Sequence, residues 1–136
     1  MKKIFVTLTL LLLSQTSFAG AKELFQKFDS LKLTTVEANG KDKSVSFFLL
    51  SCTSYLYSNG TRDYACWYQL NSGTAQQNDA KLLPTHADGK EVYLMLREMG
   101  YKVTGGSSTS VIFLRPFNCK MSVAANGTAS YACQNK

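Results

Sequence analysis

Two stretches of this chain carry the same rhythm of apolar and polar positions. Each opens with apolar residues at helical spacing: Ala21, Leu24, Phe25, Phe28 and Leu31 share one stripe, and Val92, Met95, Leu96 and Met99 share another, as a 3.6-residue period requires. Asp88 with Glu91 three residues on resembles a capping box for the second helix, and Gly100 suits a left-handed cap at its end. After each helix come a short strand (residues 31–34 and 101–104), a long alternating strand and a hairpin partner. The pattern predicts an α+β fold of two tandem helix-plus-antiparallel-sheet (αβββ) repeats.

The cysteines sharpen this reading. Residues 52–66 and 119–133 match at seven of fifteen positions, namely both cysteines, the triplets Asn59-Gly60-Thr61 and Asn126-Gly127-Thr128, and the Tyr-Ala before each second cysteine. A three-residue loop at Ser58-Asn59-Gly60, and again at Ala125-Asn126-Gly127, fits a type I turn closed by a glycine bulge. That loop sets Cys52 opposite Cys66 and Cys119 opposite Cys133. Of the three connectivities four cysteines permit, it favours a disulfide within each hairpin.

Alternation then assigns faces. In the second hairpin the cysteine side carries Val111, Phe113, Phe117, Met121, Val123 and Tyr131, interrupted by Arg115, while the other side is polar. In the first hairpin the cysteine side carries Leu50, Leu56, Tyr64, Tyr68 and Leu70; its opposite side carries Thr53, Tyr55, Tyr57, Asp63 and Trp67. Tyrosine and tryptophan combine large apolar area with a polar handle and are enriched at binding surfaces. Tyr55, Tyr57 and Trp67, with Thr53 and the turn residue Asn59, are therefore the candidate binding residues. The competing reading packs these aromatics against the linker or the other half. The run from Phe47 to Leu50, apolar at every position, points to a part of the sheet covered on both faces.

The N-terminus adds a compartment. Met1-Lys2-Lys3, the apolar run from Ile4 to Leu13 and the small-residue exit at Ala19 are the parts of a secretory signal peptide. The run is shorter than the roughly 20 residues of a membrane helix, and no cysteine follows the cut. A bacterial periplasmic or secreted location is expected, where disulfides form. Loss of Lys2 and Lys3 leaves 13 basic against 9 acidic residues, a net charge of +4. No run of five basic residues marks a nucleic-acid arm. The expected organisation is a signal peptide over 1–19, a first repeat over 20–70, a linker over 71–86 and a second repeat over 87–136.

Candidate chemistry is sparse. His86 is the only histidine and reads as a loop or helix-entry residue, and no nucleophile-elbow pattern marks an activated serine. One histidine with paired cysteines does not make a zinc set, and no Asp-rich calcium loop occurs. The chain is expected to be no enzyme and to need no cofactor or metal. In layout it resembles the beta-lactamase inhibitor proteins, which pair two helix-plus-sheet repeats, each with its own disulfide. The resemblance implies an architecture and transfers no functional residue, because no motif matches residue by residue. The expected function is binding to another protein of the envelope or secretome, as an inhibitor or immunity-like module. The alternatives are a glycan- or cell-wall-binding module, with Tyr55, Tyr57 and Trp67 stacking on sugars, and a small secreted hydrolase or toxin.

Overall fold

A computed structural model describes residues 20–71 and 79–135. The signal-peptide expectation and most of the polar half of the linker lie outside these residues. The elements are α1 (Ala21–Ser30), β1 (Thr35–Val36), β2 (Lys43–Leu56), β3 (Arg62–Leu70), β4 (Lys81–Leu82), α2 (His86–Glu98), β5 (Val103–Gly105), β6 (Thr109–Leu114), β7 (Phe117–Val123) and β8 (Ala129–Asn135). Among the described residues the fold is α+β, with two helices against one eight-stranded antiparallel sheet. β2 is central: β3 and β1 pair with one of its edges, β6 and β7 with the other. β4 lies outside β3, β5 outside β6, and β8 outside β7.

Both hairpins adopt the register read from their turns. Cys52 faces Cys66 and Cys119 faces Cys133, and each pair is a disulfide. The turns share one set of bonds. The Gly60 N–H donates to the Tyr57 carbonyl at 3.0 Å, and that of Gly127 to Ala124 at 2.9 Å. Gly60 and Gly127 have φ of 88° and 87°, the left-handed region in which a side chain is strained. Asn59 Oδ1 accepts from the Thr61 N–H at 3.0 Å, and Asn126 Oδ1 from that of Thr128 at 3.0 Å.

The helices cover one face of the sheet and enclose a single core. Leu24, Phe25 and Phe28 of α1, and Val92, Tyr93 and Leu96 of α2, are buried with Val45, Phe47, Leu50, Ile112, Leu114 and Phe117 of the strands. Phe47 sits among the rings of Phe28 (4.9 Å), Tyr68 (6.1 Å) and Phe117 (6.4 Å). Each helix lies over the other half's hairpin: α1 packs on β7 and β8, and α2 on β3 and β2. Lys27 ties the helices together through Asp88 at 2.6 Å and Glu91 at 2.9 Å.

Three expectations need correction. First, α2 starts one turn earlier than a cap at Asp88 implies. Thr85 is the N-cap, its hydroxyl accepting from the Asp88 N–H at 3.0 Å. His86 is therefore the first helical residue, and β4 occupies part of the stretch taken as linker. Second, Val111 and Phe113 do not share the cysteine face; Ile112 and Leu114 point inward instead. Third, the Phe47–Leu50 run is not covered on both faces, because Phe48 is exposed.

The last two corrections have one cause. Leu50 pairs with Leu114 and Phe47 with Phe117, so β6 and β7 lie end to end along β2 in unbroken register. Yet inward positions step by three on both strands, from Phe47 to Leu50 and from Leu114 to Phe117. The reversal falls at Phe48 and Leu49 on one strand and at Arg115 and Pro116, joined by a cis peptide, on the other. A one-residue slip in alternation moves every later side chain to the opposite face. Here two matched slips keep the core continuous.

Candidate functional site: the open face of the sheet

The face away from the helices divides into an apolar end and a polar end. Cross-strand pairing sets Leu82, Trp67, Ser51 and Phe113 in one row across four strands. Leu82, Trp67 and Phe113 are 49%, 46% and 57% exposed. Because Ser51 is small, Trp67 and Phe113 stand as two banks of a trough, two strand spacings or roughly 10 Å apart. The next row, Ala65, Thr53, Val111 and Thr104, continues the trough. The row beyond holds Asp63, Tyr55 and Thr109. At the other end the Arg115 guanidinium lies 4.3 Å from the centre of the Phe48 ring. Past it the same face turns polar, with Ser46 and Asn118 bonded at 2.7 Å and with Lys120, Ser122, Ser130 and Gln134 on the adjoining positions.

Of the sequence-derived candidates, Tyr55, Trp67 and Thr53 lie on this face, and Tyr57 follows at the end of β2. Tyr55 and Tyr57 stand edge to face at 4.9 Å and are about half exposed. Asn59 sits at the turn tip, its carbonyl oxygen committed to Thr61. The same bond at Asn126 shows that this is turn chemistry. Phe113, Phe48, Val111 and Leu82 join the face although sequence reasoning placed them elsewhere. For Phe113 and Val111 the available signal was the three-residue step from Leu114 to Phe117 across Pro116, and for Phe48 the matching step from Phe47 to Leu50.

At the hairpin end a small polar cluster adjoins the aromatics. Asp63 Oδ1 accepts from the Tyr64 N–H at 3.0 Å and meets His86 Nδ1. Its Oδ2 accepts from the Tyr57 hydroxyl at 3.2 Å. The bond to Asp63, reinforced by the carboxylate's charge, raises the Tyr57 hydroxyl above its ordinary value of 10.0, so Tyr57 remains a protonated donor near neutrality. A cleft of about 230 Å³ opens beside the pair, lined by Asp63, Leu82, Leu83, Pro84, Thr85 and His86 among others.

An Asp–His pair is part of a nucleophile-activating set. Among the described residues no serine, threonine or cysteine side chain is bonded to His86, and the one serine or threonine hydroxyl lining the cleft, that of Thr85, caps α2. All four cysteines are in disulfides. Among the described residues no group of three His, Cys, Asp or Glu side chains is placed to hold a metal ion, and no helix is long and apolar enough to cross a membrane. No protein-family model, no curated protein and no solved structure matches the chain.

Proposed function

We propose that this chain is an exported, disulfide-stabilised module that binds another protein through the apolar end of its open face, in the manner of an inhibitor or immunity-like protein. The observation that carries this reading is the row Leu82–Trp67–Ser51–Phe113. Its three large side chains are about half exposed on a face that neither described helix covers. Contiguous apolar surface of this kind marks an interaction site. The sheet beneath is stapled and packed on its other side, so the contact residues lose little freedom on binding.

The tandem-repeat reading supplies an internal contrast. Cys52 and Cys119 are 119 − 52 = 67 apart. At that offset Trp67 corresponds to Gln134, Tyr55 to Ser122, and Phe113 to Ser46. The pairs Cys52–Ile112 and Val45–Cys119, which exchange under the same offset, both occur across the centre of the sheet. This supports two diverged copies about a local two-fold, one open end turned apolar and the other left polar. An exported, oxidising location accords with the two disulfides.

A glycan site is the weaker reading. A sugar needs several hydrogen-bonding side chains beside the ring it stacks on, and in the row that holds Trp67 only Ser51 is polar, alongside Leu82 and Phe113. The test is retention of partners from envelope extract, and separately of peptidoglycan, on the immobilised mature protein and on its Trp67→Ala, Phe113→Ala and Gln134→Ala variants. Protein retention lost in the first two variants and kept in the third supports the reading. Equal retention by all of them, or retention of peptidoglycan alone, overturns it.

A further inference from the structure

We propose that Asp63, with the tyrosines beside it, forms a seat for a cationic side chain, arginine or lysine, of the protein that docks on the open face. Asp63 is the only acidic residue on any strand among the described residues, and it stands at the rim of the apolar trough. A carboxylate offers about four acceptor positions. Tyr64 N–H and His86 occupy Oδ1, whereas among the described residues Oδ2 receives the Tyr57 hydroxyl alone. One acceptor position on Oδ2 is thus left, on a carboxylate held in place by three donors.

The surroundings suit a cation. Tyr55 lies directly across the ladder from Asp63, and its ring and that of Tyr57 meet edge to face at 4.9 Å, both about half exposed. Aromatic faces attract ammonium and guanidinium groups. The chain itself uses such contacts: the Lys90 ammonium lies 5.7 Å from the ring centre of Tyr64, which lines the cleft, and at the far end of the face the Arg115 guanidinium lies over Phe48. The cleft beside Asp63 offers Leu82 and Pro84 to the aliphatic stem of a basic side chain, and such stems pack on apolar surface while the head stays at a polar group. Arginine gains further because its planar fork stacks on rings and pairs with carboxylates.

The inference rests on the docking reading only for the source of the cation, and its test is separable from that reading. Amide spectra of the isotopically labelled mature protein are recorded with Nα-acetyl-arginine methylamide, its lysine analogue and its glutamate analogue at matched ionic strength. The basic probes should shift the amides around Tyr57, Asp63 to Ala65 and His86 saturably; the glutamate probe should not. Asp63→Asn, which keeps the shape and an acceptor for Tyr57, should weaken the arginine probe by about tenfold or more. Tyr55→Leu, which keeps the charge, should weaken it several-fold. Unchanged amides elsewhere report that each variant is folded. No saturable shift up to about 100 mM probe, equal shifts with the glutamate probe, or equal binding by Asp63→Asn would overturn the seat. Those results leave the docking face standing if Trp67→Ala still loses the retained protein.

Discussion

Replacing Phe47 with alanine tests whether the two halves share one core. Phe47 belongs to the first half, is fully buried, and lies between Phe28 of α1, Tyr68 of β3 and Phe117 of β7. Removing the ring takes roughly 150–200 Å² of apolar surface out of the core. At about 25 cal/mol per Å² that is ~4–5 kcal/mol, within the ~3–5 kcal/mol usual for Phe→Ala. A domain of this size has a total stability of about 5–15 kcal/mol, so the loss is large. Because Phe47 touches Phe117 and α1 lies over β7 and β8, the second half must lose as much as the first. Urea unfolding can be followed by the fluorescence of Trp67, the chain's only tryptophan, and by exchange of the backbone amides of β7 and β8. Both probes should shift together by the same free energy, as coincident transitions require. If the β7–β8 amides keep their wild-type protection while Trp67 reports destabilisation, the halves fold separately and the shared core is wrong.

Three other outcomes follow from particular contacts. Trp67→Ala removes about half of an indole's surface from a docked partner, roughly 100 Å², so affinity should fall by ~2–3 kcal/mol, with unfolding by urea little changed. The tie between α1 and α2 makes stability depend on pH. Hydrogen bonding to Lys27 lowers the Asp88 carboxyl below its ordinary 3.8, so its contribution is present above that value and is lost as pH falls through the depressed one. Hydrogen bonding to Asp88 and Glu91, against a smaller cost of burial, raises Lys27 above 10.5; its contribution is present below 10.5 and lost as pH rises through the raised value. Lys27→Met should cost about 1–2 kcal/mol at neutral pH and flatten both limbs of a stability–pH curve. Gly89 of α2 packs so closely on β3 that a Cβ would lie 3.2 Å from Ala65 Cα and 3.3 Å from Cys66 N. Gly89→Val should therefore destabilise by about 1–3 kcal/mol, read as a lower urea midpoint, although valine is a better helix former than glycine.

Much of the fold was legible because local rules agree with the tertiary structure. The Asn-Gly-Thr turns set the hairpin registers, the registers set the disulfides, and the apolar stripes of α1 and α2 supplied the helical layer. The joining of the halves was not legible. Strand pairing between β2 and β6–β7 is non-local, and no turn residue specifies it. The reversal of alternation was written in the chain, as paired apolar runs on either side of Phe48-Leu49 and Arg115-Pro116, but strict period-two reading passes through it. That reading sent Phe113 and Val111 inward and hid half of the trough. Leu82 escaped because a two-residue strand has too little pattern to detect. His86 escaped as the partner of Asp63 because the two meet only when α2 packs on β3.

The proposed contact surface is the apolar end of the open face. Oxidative side-chain footprinting of the complex with its retained partner tests it most directly, since Trp67, Phe113 and Tyr55 are reactive and half exposed in the free chain. Labelling of those three should fall sharply on binding, while Met99 and Tyr131, on the helix side, label as before. Protection of Met99 and Tyr131 with Trp67 and Phe113 unchanged would move the interface to the opposite side of the molecule.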